Sequence, residues 1–439
     1  MQPADRAEVV GTGRSYWQRL GGMPADGAAV RGSPELPQRA DVVVIGGGFA
    51  GLATAIRIME VEPAARVVLL EAKSIGYGAS GRNGGLMSPL PAPIWLASAT
   101  YDSGHRAALA ALNVEVGKAA AWARALAPDA EVLAQPLVLE AKGHITDAGI
   151  AQVARIVSDA GIACRLESGA TAGSPRALSI ETHTVNPYRL ALGLADHARR
   201  LGVEVIEQAP VVRIAQSGSV AQITLGDGRS IAAASVVVAT NACTPSLSLP
   251  EPARAKVVHN YMLATEPLDD EMLARLDCSG RFVVELNSAY VFYRVHQRRL
   301  VFGGIEKLSQ KAGGDFDVPA EVMRGLERHL GRTLSPGALP RIADAWGGRF
   351  HMTSTDLPII RRSERAPSVV LNVGYGGTGV ALTLTLAPLA AALALRRAPA
   401  DAALGMIGDT MRRTGMPVLG AARFAAAVAR RLVFGPRPG

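Results

Sequence analysis

Six consecutive residues near the start of the chain, Gly46-Gly47-Gly48-Phe49-Ala50-Gly51, have the spacing G-x-G-x-x-G. Glycines at these positions permit a tight turn, let backbone N–H groups approach a diphosphate, and allow close helix–strand packing. A helix that opens at such a turn adds unpaired amides and the positive end of its dipole. An acid about twenty residues further on is placed to bond a ribose hydroxyl. Glu71, followed by Ala72, stands there. The chemistry expected of Gly46, Gly48, Phe49, Ala50, Gly51, Glu71 and Ala72 is therefore the grip on a dinucleotide.

That reading requires a strand before the turn and a helix after it. Asp41 to Ile45 is an apolar run with an acidic start, Leu52 to Met59 begins a helix, and Arg66 to Leu70 is a second strand ending at Glu71. The three make a β-α-β unit of ordinary length. The motif alone does not choose between FAD and NAD. The choice comes from farther along, where the apolar strand Ser235 to Thr240 precedes Asn241, and a second glycine loop, Gly374-Tyr375-Gly376-Gly377-Thr378-Gly379, precedes another helix. A second helix start can face a flavin ring, where negative charge develops on reduction.

The chain has 439 residues, long enough for two domains, and 49% of them are hydrophobic. The net charge is +8 (46 Lys and Arg less 38 Asp and Glu), spread along the chain with no basic run interleaved with aromatics, so nucleic acid is not an expected partner. The three cysteines, Cys164, Cys243 and Cys278, show neither CxxC spacing nor companion ligands. No metal site is expected, the set fits a reducing cytoplasm, and packing is the role expected of Cys243. Met1 to Val10 lacks an apolar core of the secretory type. Val373 to Leu395 carries no charge, but its glycine half reads as loop, leaving a buried helix of about four turns, too short to span a bilayer.

The nucleotide-like segments lie far apart, which predicts an α/β fold with a discontinuous Rossmann-type, glutathione-reductase-like FAD domain. Its expected parts are 39–95, 185–245 and 336–398. Residues 96–184 and 246–335 form an inserted α+β substrate domain with an antiparallel sheet, 1–38 a polar lead, and 399–439 an Ala/Arg-rich tail with a helix at 419–433.

Several motifs together resemble a known family. They are Ser15-Tyr16-Trp17, the turn at 41–51, Gly78 to Gly85, Asn186-Pro187-Tyr188-Arg189-Leu190, Val236 to Asn241, Ala264 to Pro267, Trp346-Gly347-Gly348-Arg349 with Thr355 to Pro358, and Gly374 to Gly379. In this order they resemble the D-amino-acid-oxidase-type (glycine/sarcosine oxidase-like) FAD-dependent oxidoreductases, and most nearly the γ-glutamylputrescine oxidoreductases. The resemblance implies that Ser80, Arg82, Asn83, Gly84 and Gly85 line the flavin and pyrophosphate. It puts the Val212 backbone at the adenine and Thr240 and Asn241 at the nucleotide crevice. It also brings Gly374, Gly376, Gly377, Thr378 and Gly379 to the flavin carbonyl edge. Some relatives attach the flavin through Cys or His; the Arg82 to Gly85 segment has neither, so FAD is expected to be non-covalent.

The implied activity is oxidation of a C–N bond in a small amine or amino acid. Flavin N5 takes a hydride from the carbon beside nitrogen, and the imine then hydrolyses. A dry, aromatic-lined pocket favours the unprotonated amine that this needs. The resemblance places Tyr261, Tyr290, Phe292, Tyr293 and Arg294 over the reactive face, with Arg349 and Tyr375 on the cofactor side. Any of these arginines could fork a substrate carboxylate. Against that, aromatics alternating along a strand also suit a core, and Arg294 could pair with Glu285. The acceptor is open between O2 and another carrier. Sarcosine-oxidase relatives bear a lysine near the flavin on a strand like Leu300 to Gly304, and Val301 stands in its place, with Lys256 and Lys307 unplaced as substitutes. Arg423, Arg430 and Arg431 in the tail leave peripheral membrane contact open beside packing on the domain. The rival activities are flavin-dependent dehydrogenation of a 2-hydroxy-acid-type substrate and a non-catalytic flavin-binding scaffold.

Overall fold

A computed structural model describes residues 13–24, 35–88, 103–141, 147–167, 177–251, 253, 255–276, 278, 280–286, 291–308, 316, 318–333, 339–353 and 358–399. Its first sheet contains β1 (Arg39–Ile45), β2 (Val67–Leu70), β9 (Glu204–Ile206), β10 (Val211–Ser217), β11 (Val220–Leu225), β12 (Ser230–Val238), β18 (Ile359–Arg362) and β19 (Val369–Val373). The order is β10-β11-β12-β1-β2-β9, with β19 beside the end of β12 and β18 beside β19. β12, β1, β2 and β9 run parallel, and β19 runs parallel to β12; Val44 sits between Val237 and Leu69. Val42 to Ile45 and Val67 to Leu70 are buried on both faces, which is why they read as unbroken apolar runs rather than alternating ones.

One face of this sheet is covered by α2 (Phe49–Val61), α3 (Ser103–Leu126), α5 (Pro187–Arg200), α8 (Gly379–Thr385) and α9 (Ala387–Ala394), which share one apolar cluster. α5 starts as its sequence dictates: the Asn186 side chain accepts from Arg189 N at 3.2 Å, and Pro187 occupies the first turn, where no donor is needed. The other face closes over Ile214, Ile223 and Ile231 of the β10–β12 meander.

The second sheet is ordered β17 (Ile342–Met352), β13 (Lys256–Thr265), β16 (Arg299–Leu308), β15 (Val291–His296), β14 (Phe282–Leu286), β5 (Leu137–Ala141), β7 (Ala177–Ile180), β6 (Cys164–Glu167). It is antiparallel except for the parallel pair β14–β5. α7 (Ala320–Thr333) packs Val322, Leu326 and Leu330 against Tyr261, Leu263, Tyr293 and Phe302, while α4 (Asp147–Asp159) covers β5 and β7. On β13 the neighbours Met262 and Ala264 point the opposite way, into a cluster with Val301, Trp346, Tyr188, Trp17 and Tyr16. The face opposite α7 is thus the one turned to the first sheet's layer. β3 (Leu86–Met87), β8 (His183–Thr184) and β4 (Leu133–Ala134) form a small sheet, α6 (Asp270–Leu276) is peripheral, and α1 (Tyr16–Leu20) is buried at the junction.

Several sequence expectations change. The boundary expected at 336 lies after β17, because β17 pairs with β13 from Lys256↔Met352 to Thr265↔Ile342 and so belongs to the substrate sheet. α3, expected in the substrate domain, buries Leu112, Val116, Ala119 and Ala123 with α2 and α5. The lead at 1–38 is not simply polar, since Tyr16, Trp17 and Met23 are core residues. Among the described residues no single helix is long and apolar enough to cross a membrane. The stretch expected as one helix is two, bent by 65° where Pro388 enters without an N–H. Cys243 is exposed rather than packed. Tyr290 and the tail helix at 419–433 lie outside the described residues.

Candidate active site

The turn after β1 has the geometry its glycines predict. Gly46 has φ +115°, and a Cβ there would stand 2.6 Å from the Ala239 carbonyl oxygen; one on Gly51 would stand 1.9 Å from that of Gly46. Gly48 caps α2 without a side-chain bond, and the first intrahelical bond is Leu52 N to Gly48 O at 3.0 Å. Of the amides ahead of it, Phe49 N donates to Ser80 Oγ at 2.9 Å, and those of Ala50 and Gly51 precede any i→i−4 bond. The Glu71 carboxylate accepts from Gly47 N at 2.6 Å and Lys73 N at 2.8 Å. Burial raises its pKa, and these two amides oppose the rise. The acid therefore shapes the glycine turn. Ala72, beside it, is exposed. Beyond β9, Ala209 N donates to Glu71 O at 2.9 Å. Val212 is exposed, and its carbonyl accepts from Ser248 N at 3.0 Å.

Thr240 and Asn241 wall the turn at the end of β12. The Asn241 side chain is committed elsewhere, accepting from His351 N of β17 at 2.9 Å, and Thr240 Oγ1 lies 2.9 Å from Thr244 Oγ1. On the loop after β2, Ser80 meets the start of α2. Asn83 braces the loop itself, donating to Ala79 O and Ser80 O and accepting from Gly85 N. Arg82 is buried and donates to the carbonyls of Tyr77 (2.8 Å), Gly13 (2.6 Å) and Gly347 (3.5 Å). A Cβ on Gly84 would stand 3.1 Å from the Phe292 ring, and one on Gly85 2.2 Å from Val185 O. The loop is thus pressed between β15 and the chain at Val185.

The second glycine loop enters a 3-10 turn at Gly376 to Thr378 and then α8. Gly374 (φ +84°) and Gly376 (φ +59°) take the left-handed conformation open to glycine. A Cβ on Gly377 would meet nothing within 4 Å, whereas one on Gly379 would touch Tyr375 at 3.3 Å. The Thr378 hydroxyl reaches back to Tyr375 O at 3.5 Å.

Of the described residues expected at the reacting face, Tyr293, Tyr261 and Tyr375 turn away from Phe292 and Arg294. Tyr293 lies on the α7 side of its strand, stacked on Phe302 at 6.0 Å, and burial pushes its hydroxyl pKa far up. Tyr261 shares that side, with its hydroxyl 3.3 Å from His259 Nδ1. Tyr375 turns into the first layer's core, where its hydroxyl donates to Asn372 Oδ1. Strand parity explains the first two: in β15 the side facing the cofactor loop carries Phe292 and Arg294. Arg294 donates to Val185 O at 2.9 Å rather than pairing with Glu285, and its Nε is without a partner among the described residues.

Arg349 is the residue with spare capacity. It is 9% exposed, and neither Nε nor Nη1 has a hydrogen-bond partner among the described residues. Its guanidinium lies 5.2 Å from the Phe316 ring, and that of Arg82 lies 3.6 Å from the same ring. Burial, with repulsion from Arg349 added and Tyr77 opposing, holds Arg82 down to about 9. Two buried cations beside the crevice, without an ion pair among the described residues, make a place for an anion. Sequence reading missed Phe316, which no motif marks, and the use of Ser15, Trp17 and Gln18 described below.

These features fit FAD. The α2 amides and glycine cradle would hold the pyrophosphate, Glu71 the ribose, and the 376–379 turn the ring's carbonyl edge. Among the described residues no group of three or more His, Cys, Asp or Glu could hold a metal ion. The family described as FAD dependent oxidoreductase (DAO) matches residues 41–393. The chain is 25% identical over 366 residues to the probable oxidoreductase OrdL of Haemophilus influenzae, covering 79% of this chain and 80% of the relative. It is 27% identical over 358 residues to the γ-glutamylputrescine oxidoreductase of Escherichia coli, covering 78% and 80%. Its fold is that of glycine oxidase from Geobacillus kaustophilus, with a TM-score of 0.69 at 18% identity over 83% of this chain and 96% of that one.

Proposed function

Given that the chain belongs to the DAO family of FAD-dependent oxidoreductases, we propose that it oxidises the C–N bond of a small amine that also carries a carboxylate, as an amino acid or an N-substituted amino acid does. The observation that carries this reading is the unpartnered face of Arg349. When bound, non-covalent FAD supplies a two-electron acceptor for the hydride on the carbon beside nitrogen. The work of the chain is positional. A carboxylate forked by Arg349 would fix the position of the neighbouring C–H relative to the cofactor. Buried guanidiniums nearby disfavour an ammonium, so the amine binds more readily in the neutral form that can give up hydride. The names of the E. coli and Geobacillus relatives, an oxidoreductase of an amine conjugate and an oxidase of an amino acid, support the substrate class.

A second reading concerns the acceptor. Val301 is 1% exposed and clusters with Met262 and Trp346, so that strand position offers no cation toward the crevice. This favours a dehydrogenase that passes electrons to a carrier over an oxidase. The test of both is anaerobic addition of amino acids, N-methyl amino acids, plain diamines and 2-hydroxy acids to the yellow protein. Bleaching by carboxylate-bearing amines supports the proposal. Bleaching by 2-hydroxy acids alone, or by no member, overturns it. Slow colour return on readmitting air supports the dehydrogenase reading, and fast return refutes it.

A further inference from the structure

The residues Ser15, Trp17 and Gln18 take no part in the reaction described above, yet all three are fully buried. Their polar atoms go to a single target. Ser15 Oγ donates to Gly81 O at 2.5 Å, Trp17 Nε1 to Asn83 O at 2.8 Å, and Gln18 Nε2 to Gly76 O at 2.9 Å and Tyr77 O at 3.0 Å. Trp346 Nε1 takes the carbonyl left between them, Arg82 O, at 2.9 Å. In return Arg82 Nη2 donates to Gly13 O at 2.6 Å. The carbonyls of 81, 82 and 83 are all held by side chains from outside their own segment. A Ser15–Gln18 capping box fixes the start of α1, so the donors themselves are set rigidly.

The same short helix is fastened on its other side to the substrate sheet. Arg19 forks Asp344 of β17 at 2.6 and 2.7 Å. Tyr16 Oη lies 2.9 Å from His296 Nδ1 of β15, and His296 Nε2 lies 2.6 Å from Glu131, which in turn pairs with Arg189 of α5 at 2.9 Å. The Trp17 ring packs against His296 (4.8 Å) and under the Arg294 guanidinium (4.8 Å).

We propose that residues 13–19 are a clasp that sets the cofactor loop 76–85, with Ser15, Trp17 and Gln18 as its positioning residues. The loop presents Ser80 to the α2 N-terminus and presses Gly84 and Gly85 onto β15, so its placement decides whether the crevice is complete. FAD then binds only the clasped loop, and loosening the clasp lowers the apparent affinity by the fraction of molecules left clasped. The claim rests on family membership and not on the substrate proposed above.

The test is titration of apoprotein with FAD for Ser15→Ala and Trp17→Phe, the latter keeping an aromatic ring while losing Nε1. Each lost bond is expected to weaken FAD binding about fivefold, and Ser15→Thr, which keeps a hydroxyl, is expected to restore it. A dissociation constant unchanged in both variants, with folding verified by circular dichroism, overturns the proposal. Hydrogen exchange on the wild-type chain gives a second readout that needs no variant. FAD is expected to protect 15–20 together with 76–85, and protection of 76–85 alone refutes the clasp.

Discussion

An alanine at position 51 puts a methyl carbon 1.9 Å from the Gly46 carbonyl oxygen, about 1.5 Å inside ordinary contact at 3.4 Å. Neither partner can turn away, because both atoms are fixed to backbone. Gly46 is held through its amide to Leu70 O at 2.8 Å and is packed against Ala239, while Gly51 sits in the first turn of a helix whose inner face is core. The strain has to move the turn or the helix start. Overpacking of this kind costs about 1–3 kcal/mol, and the distortion falls on the amides expected to grip the pyrophosphate, so FAD affinity should drop roughly 5- to 150-fold. Gly377→Ala is the matched control. Its methyl meets nothing within 4 Å, so the apoprotein should melt at the parent temperature, and any loss of FAD affinity then reports a methyl in space the flavin uses. The assay is flavin absorbance per mole of purified protein, titration of apoprotein, and apoprotein melting for both variants. Gly51→Ala protein with parent affinity and parent stability would refute the packing argument.

Other outcomes follow from the same geometry. Arg349→Gln should keep FAD and lower kcat/KM for carboxylate-bearing amines roughly 10- to 150-fold, the worth of about 1.5–3 kcal/mol for a hydrogen bond to a charged group, with little effect on amines lacking a carboxylate; steady-state kinetics on both substrate types checks this. Tyr293→Phe should leave kcat/KM unchanged, since its ring faces α7 and stacks on Phe302, and a marked fall would reverse the strand-parity assignment. Arg361, opposed by partial burial and aided by Ser363 Oγ and Glu364 N, holds Glu251 down to about 2. Its folded pKa is depressed, so its stabilisation is complete above ~4.3, the ordinary Glu value, and is lost as pH falls toward 2. Urea melts of wild type and Glu251→Gln across that window should converge at the acid end.

The parts of the fold that were legible in the sequence are those written in backbone requirements. Val42 to Ile45 with Gly46, Gly48 and Gly51 specify a strand, a turn and a helix start because only glycine fits at 46 and 51, and Asn186-Pro187 specifies a helix start for the same kind of local reason. Strand direction and facing were not legible. Tyr261 and Tyr293 read as pocket residues, and a shift of one position along either strand decides whether a ring meets the cofactor loop or α7. The placement of β17 was missed because its ten-position pairing with β13 is a long-range fact, and so was that of α3, whose small residues suit either layer. The partners of Arg82, carbonyls at 13, 77 and 347, were not legible either, since they are brought together by the fold alone. The Ser15-Tyr16-Trp17 motif was visible from the start; its role was not, since Ser15 and Trp17 act on residues about sixty-six positions away.

The central claim is that α2 amides grip a diphosphate. It is tested most directly by calorimetric titration of the apoprotein with FAD, FMN and riboflavin. One FAD per chain is expected, released intact when the protein is denatured, with FMN and riboflavin binding weaker by at least about a hundredfold, since each loses charge-assisted bonds to those amides. FMN binding as tight as FAD, or a flavin that stays attached after denaturation, would contradict it.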